Sequence, residues 1–139
     1  MRRAIQEANR AFEKDEVPVG AIIVVENRVI GRGYNQVELL TDSTAHAEII
    51  AISAAAQYLN SKYLTEATLY VTLEPCIMCA GALFWSKIGR VVYGASDPKN
   101  GYRHCCGNNN PFHPKTSISK GLLAEECGAL MTEFFRRKR

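Results

Sequence analysis

The sequence predicts an α/β fold, a mixed five-stranded sheet covered by helices on both faces, in one domain spanning residues 1–139. Three observations carry this. Helical patterns alternate with short β-branched runs, the first two strands follow each other directly as a hairpin, and the length suits a single core. With 47% hydrophobic and 22% charged residues the composition is that of a globular domain, not of a disordered or collagen-like chain. Neither internal repeats nor disulfides are needed to explain its stability.

Residues Arg2 to Lys14 set Ile5, Ala8 and Phe12 at helical spacing and leave Arg3, Glu7, Arg10 and Lys14 for solvent, so an amphipathic helix comes first. Pro18 ends that pattern. Val19 to Val25 is a continuous apolar run broken at Glu26-Asn27, after which Arg28 to Tyr34 resumes with Val29 and Ile30, as in a hairpin. Gln36 to Thr44 is polar and turn-rich, and Asp42, Ser43 or Thr44 can cap the helix that follows. The body of that helix, AHAEIIAISAAA, shows little amphipathic division and is expected to be buried. Thr68 to Leu73 has the β-branched and aromatic character of a strand, Pro75 opens a helix to about Ser86, and Arg90 to Tyr93 is another short strand. Ser96 to Lys115, with its glycines, prolines and three successive asparagines, reads as loop. Thr116 to Ser119 reads as a fifth strand before a C-terminal helical region.

Net charge is +3, and the last four residues, Arg136 to Arg139, are all basic. That tail fits a solvated helix end whose cations complement the helix dipole, or a contact with phosphates; charge alone leaves both open. Five cysteines, at 76, 79, 105, 106 and 127, make an odd number, which together with the Cys76-x-x-Cys79 spacing favours reduced thiols and a cytoplasmic protein. Gln6, Glu7, Asn9 and Arg10 interrupt the basic start Met1-Arg2-Arg3, and no apolar run approaches the roughly 18 residues of a membrane span. Neither export nor membrane insertion is expected.

The chemistry lies in two helix starts. TAHAEIIAISAAA carries one imidazole and one carboxylate, His46 and Glu48, in surroundings that charged groups avoid unless they are paired or metal-bound. LEPCIMCAG puts Cys76 and Cys79 in a first helical turn, where the dipole and unpaired N–H groups stabilise thiolates and both sulfurs can approach one ion. Taken singly, the histidine could be a hydrogen-bonded core residue, and the cysteines a redox pair or half of a structural zinc knuckle. A redox pair would leave His46 and Glu48 unexplained. Together His46, Cys76 and Cys79 offer three ligands to a zinc ion that keeps its fourth tetrahedral position for water, whose pKa can fall to about 7. Glu48 is the carboxylate that takes that water's proton and passes it on. Residues two apart do not share a helix face, but in the first turn both can lean past the end toward a common point.

These residues resemble the zinc-dependent nucleobase deaminases, which carry an H-x-E and P-C-x-x-C signature. VPVGAIIV at 17–24, TAHAEI at 44–49, TLYVTLEPCIMCAGAL at 68–83, IGRVVYGASD at 88–97 and FFRRKR at 134–139 are similar, in order, to the bacterial tRNA adenosine deaminases over nearly the whole chain. The resemblance implies a three-layer α/β/α cytidine deaminase-like fold and a homodimer with each active site completed near the subunit interface. It implies one zinc per chain, on His46, Cys76 and Cys79, and deamination of adenosine to inosine at wobble position 34 of a tRNA anticodon. A zinc-bound hydroxide would attack C6, with Glu48 shuttling the proton to the base and the departing ammonia. It further implies that Asn35 and the backbone of Ala47 hydrogen-bond the flipped base and that Val19 lines its pocket. Asp97 would lie near the ribose beside the target, and Phe134, Phe135 and the basic tail from Arg136 near the anticodon loop, where stacking on splayed bases reads single-stranded RNA. Without the resemblance, Asn35 is a common residue at a strand end, Val19 an ordinary buried strand residue, and both phenylalanines core residues of a terminal helix.

The chain departs from many members of that family at GYRHCCGNNNPFHP, Gly101 to Pro114, where a small-residue loop is usual. His104, Cys105, Cys106 and His113 could form a second metal site. Neighbouring cysteines converge poorly on one ion, however, and a loop offers little preorganisation, so an ordinary loop is expected; Cys127 is expected as a small buried residue. Two rival functions share the motif. One is a deaminase of free bases or nucleosides such as guanine or cytosine, which has no need of the basic aromatic tail. The other is a catalytically silent zinc-stabilised RNA-binding module, against which Glu48 and an open fourth position argue.

Overall fold

The computed structural model describes residues 1–139. Helix α1 (Arg2–Glu13) is followed by the hairpin β1 (Gly20–Val25) and β2 (Arg28–Tyr34), a short α2 (Val37–Leu40) and α3 (Ala47–Leu59). Then come β3 (Thr68–Leu73), α4 (Ile77–Ser86), β4 (Arg90–Ala95), α5 (Tyr102–Cys106), β5 (Ser117–Lys120) and α6 (Ala124–Arg137). The five strands form one sheet in the order β2-β1-β3-β4-β5, with β1 antiparallel to both neighbours and β3, β4 and β5 parallel. The expected mixed sheet is therefore present.

Each strand sends alternate residues to opposite faces. Ala21, Ile23, Leu69, Val71, Val91 and Tyr93 join Ala47, Ala51 and Ala55 of α3 and Ala80 and Leu83 of α4 in one buried cluster. On the other face, Gly20 meets the backbone of α1 at Ala4 and Ala8, while Gly94 meets Cys127 of α6, buried as expected. The β1–β2 connection is the two-residue turn Glu26-Asn27, both at positive φ (49° and 63°), which suits the twist of a hairpin.

Several expectations change. Helix α3 buries only one stripe, Ala47, Glu48, Ala51 and Ala55, and leaves Ile49, Ile50 and Ile52 half-buried and Tyr58 exposed. The stripe is small because α3 lies almost on β2: a Cβ at Gly33 would sit 2.5 Å from the Ala47 carbonyl oxygen, and one at Gly31 2.6 Å from that of Ala51. Val19 lies just before β1 rather than within it. Gln36 to Thr44 contains α2, whose Glu38 and Leu39 N–H groups donate to the carboxylate of Glu16 (3.0 and 2.8 Å), a cap supplied from a distant segment. The loop after β4 contains α5, anchored by Tyr102 between Tyr93 and Phe112, with ring centroids 6.2 and 4.9 Å away.

Candidate metal centre and active site

Two helix N-termini meet at the site. His46 is the N-cap of α3 and Cys76 that of α4, both with extended backbone (ψ 154° and 173°), and neither side chain makes a capping hydrogen bond to its own helix. None of the cap candidates Asp42, Ser43 and Thr44 is the N-cap: Asp42 Oδ1 accepts from the Thr44 N–H (2.8 Å) and hydroxyl (2.7 Å), building a turn that leads into His46. The first N–H of α3, at Ala47, donates instead to Asn35 Oδ1 (3.0 Å) at the end of β2. The end of β2 thereby fixes where α3 begins, and with it His46 and Glu48.

His46 Nδ1 lies 3.6 Å from both Cys76 Sγ and Cys79 Sγ, and the three candidate ligand atoms are all within 4.8 Å of one another. Tetrahedral zinc with ordinary Zn–S and Zn–N bonds requires an N-to-S separation of about 3.6 Å. The residues therefore fit a metal ion, and an imidazole with two thiols is the donor set that zinc favours. No fourth His, Cys, Asp or Glu joins the group. His104 and Cys105 are exposed on α5.

Glu48, in the first turn of α3, is buried (3% exposed), and its Oε1 has no hydrogen-bond partner. Burial pushes its carboxyl up to about 7, so it can both take and release a proton near neutrality. The thiols are driven apart. Cys76 is held at about 4, chiefly by the hydrogen bond from Cys79 and, against burial, by that from His46; Cys79 is pushed up by its bond to Cys76 and by burial. The imidazole of His46 is raised by its bond to Cys76. A cation among these groups would displace the remaining protons, because a coordinated thiol is deprotonated.

The MafB19-like deaminase family matches the whole chain, residues 1–139. The tRNA-specific adenosine deaminase of Bacillus subtilis is 44% identical over 100% of this chain and 88% of its own length; that of Aquifex aeolicus is 47% identical over 100% and 93%. The chain belongs to the tRNA-specific adenosine deaminase family. A structure from work on A-to-I editing by tRNA:A34 deaminases at the wobble position superposes with TM-score 0.86, at 42% identity over 94% of this chain and 96% of the other. A guanine deaminase from Nitrosomonas europaea shares the fold at TM-score 0.79 and 25% identity, over 96% of this chain and 81% of its own. The cytidine deaminase-like α/β/α fold is thus that of an enzyme family, and the free-base deaminases differ from the tRNA enzymes in substrate rather than in scaffold.

The remaining residues that the family resemblance singles out lie on several elements. Val19 is buried, and its carbonyl accepts from the Asn35 N–H (3.1 Å). Asn35 is also buried and commits its Oδ1 to Ala47, so its amide NH2 is the group left to meet a ligand, while Ala47 is fully buried with its N–H engaged. Asp97 is half-buried in the loop after β4, its Oδ1 accepting from the Lys99 and Asn100 N–H groups (3.3 and 3.1 Å). Phe134 is buried edge-on against Phe12, whereas Phe135 is 46% exposed. Arg136 forms a two-bond ion pair with Glu133 (2.7 and 2.8 Å), which Arg137 joins at 3.0 Å. The sequence reading gives no role to Glu74, although its buried carboxylate, beside Pro75-Cys76, is bonded to Arg103 at 3.0 Å. A carboxylate placed between a strand end and a metal-binding helix start is the signal that could have found it.

Proposed function

We propose that this chain hydrolyses adenosine to inosine at wobble position 34 of a tRNA anticodon, releasing ammonia, as a zinc enzyme with one ion per chain. The observation that carries this is a three-ligand His46, Cys76 and Cys79 set beside a buried Glu48 whose Oε1 has no partner, in a chain 44 to 47% identical from end to end to tRNA-specific adenosine deaminases. When bound there, zinc supplies the Lewis acidity that makes water a nucleophile at neutral pH. Glu48 removes a proton from the attacking water and delivers it to the ring nitrogen beside C6; a second transfer, from the new C6 hydroxyl to the amino group, lets ammonia leave. Val19 forms a wall of the base pocket, and the Asn35 amide and the backbone of Ala47 hydrogen-bond the base. Asp97, Phe135 and the tail from Arg136 meet the RNA outside the pocket, with Phe134 supporting Phe135 from below.

A homodimer follows from the same reading. Trp85 (76% exposed) and Ile77 (46%) lie on the outer side of α4, the helix that carries Cys79, and supply apolar surface for a second subunit to cover. No helix is long and apolar enough to cross a membrane, in keeping with work on tRNA in the cytoplasm. A non-catalytic RNA-binding module would leave the buried, unpartnered Oε1 of Glu48 at an energetic cost without a use. The test is inosine formation by the zinc-loaded protein on an anticodon stem-loop with adenosine at position 34, beside free guanine, cytosine and adenosine. Turnover of the stem-loop alone is expected; ammonia from a free base alone would move the substrate to the small-molecule class.

A further inference from the structure

The proposed reaction makes no use of the connection built on Glu74. Its side chain is 1% exposed, where an unpaired carboxylate is costly, and it is instead fully engaged. Oε1 accepts from the Asp97 N–H (3.1 Å) and from Arg103 Nη2 (3.0 Å), and Oε2 accepts from the Arg103 N–H (3.1 Å). One carboxylate thus closes both ends of the segment 97–103. Gly101 admits it, since a Cβ there would collide with Glu74 Oε2. Arg103 also donates to Ser96 Oγ (3.0 Å) and lies against the Tyr93 ring, 5.9 Å from its centroid. Beside the clamp lies an open hollow of about 410 Å³, lined by Glu74, Asp97, Pro98, Arg103, His104 and Asn108 among others.

The two sides of this clamp depend on it unequally. The stretch that carries Cys76 is held without the carboxylate: Leu73 pairs with Ala95 in the ladder, the Glu74 N–H donates to the Ala95 carbonyl (2.8 Å), and the Ala80 N–H donates to that of Cys76 (2.9 Å). The segment 97–103 has no ladder partner. Apart from the clamp, its backbone bonds are local, among them the Gly101 N–H on Asp97 O (2.8 Å) and the Lys99 and Asn100 N–H groups on Asp97 Oδ1, except for the Tyr102 N–H on Pro75 O (2.8 Å). Loosening the clamp therefore moves the rim that bears Asp97 before it moves the metal ligands.

We propose that Glu74 and Arg103 are positioning residues that hold the Asp97 rim in place, and so set how tightly an extended nucleic-acid substrate binds rather than how fast it reacts. This rests on the tRNA reading for the identity of that substrate. The test combines stem-loop kinetics of the metal-loaded wild type, Arg103→Ala, Arg103→Lys and Glu74→Gln with metal content and with hydrogen exchange of the segments 96–103 and 76–86. In Arg103→Ala, KM should rise about tenfold, the scale of one lost charge-assisted hydrogen bond, with kcat within about twofold and metal content unchanged. Exchange should quicken at 96–103 but not at 76–86, Arg103→Lys should recover part of the loss, and Glu74→Gln should follow Arg103→Ala. The proposal is overturned if KM stays within about twofold in both Arg103→Ala and Glu74→Gln, or if kcat and metal content fall while KM holds. A wild type inactive on the stem-loop would sink the substrate reading alone. Hydrogen exchange needs no substrate and would then decide the clamp, unchanged protection at 96–103 rejecting it.

Discussion

At the scale of single residues, Glu48 is the group whose environment is most at odds with its chemistry. A carboxyl with one buried oxygen unpartnered and a proton affinity raised to about 7 favours the folded chain while it is neutral and disfavours it once ionised. Its contribution is fully present below its unfolded value near 4.5 and is lost as pH rises through 7, a swing of about 3 kcal/mol in the metal-free protein. Glu48→Gln cannot ionise, so urea melts of the metal-free variant and wild type should keep a constant offset below pH 4.5. By pH 8 the variant should gain up to about 3 kcal/mol on the wild type. The zinc-loaded variant should keep its metal and lose about a thousandfold in kcat. Retained turnover would show that the proton is carried by another group.

At the scale of elements, the site depends on the junction between β2 and α3. Asn35 Oδ1 receives the first N–H of α3, and Gly33 lets the Ala47 carbonyl approach the strand to within van der Waals range of a bare Cα. Asn35→Ala removes the only side-chain cap of α3 and should cost about 1 to 2 kcal/mol in stability. Gly33→Ala confronts backbone at 2.5 Å, which no rotamer change can relieve, and should cost more, with weaker metal binding because His46 moves with the helix. Equal melting temperatures for Gly33→Ala and wild type would contradict the close packing. The same junction marks how far the sequence could be read. Local patterns specify α1, the hairpin with its Glu26-Asn27 turn, β3 and α4, because their period and turn chemistry are contained in the segment itself. The group His46, Cys76 and Cys79 was legible as a candidate metal centre because metal-ligand chemistry constrains residue type and spacing together. Helices α2 and α5 were not, since each is stabilised from outside its own sequence: α2 by Glu16 and α5 by Glu74 and the Tyr93 and Phe112 rings. The alanine face of α3 was misread as full burial, because an all-apolar helix looks the same whether one side or every side is covered.

At the scale of the whole molecule, α1 and α6 join the two ends of the chain through Phe12 and Phe134, and through Lys138 and Asp15 at 2.6 Å. This divides the tail into a packed part and a part free to meet RNA. Phe134→Ala should destabilise the fold by about 3 kcal/mol, whereas Phe135→Ala should leave the melting temperature unchanged and raise KM for the stem-loop. The charges of the tail are likewise divided. Glu133 pairs with Arg136 and Arg137 and holds its own carboxyl down at about 2 through those bonds, so both arginines are partly neutralised in the unbound protein. Glu133→Gln would release them without touching the metal centre. If the tail lies along the phosphates, stem-loop KM for this variant should fall two- to threefold at about 50 mM salt. The advantage should shrink toward nothing by about 0.5 M, as screening shortens the reach of exposed charge. KM equal to wild type at both salt concentrations would place the RNA elsewhere and return the arginines to the role of cations that complete the C-terminus of α6.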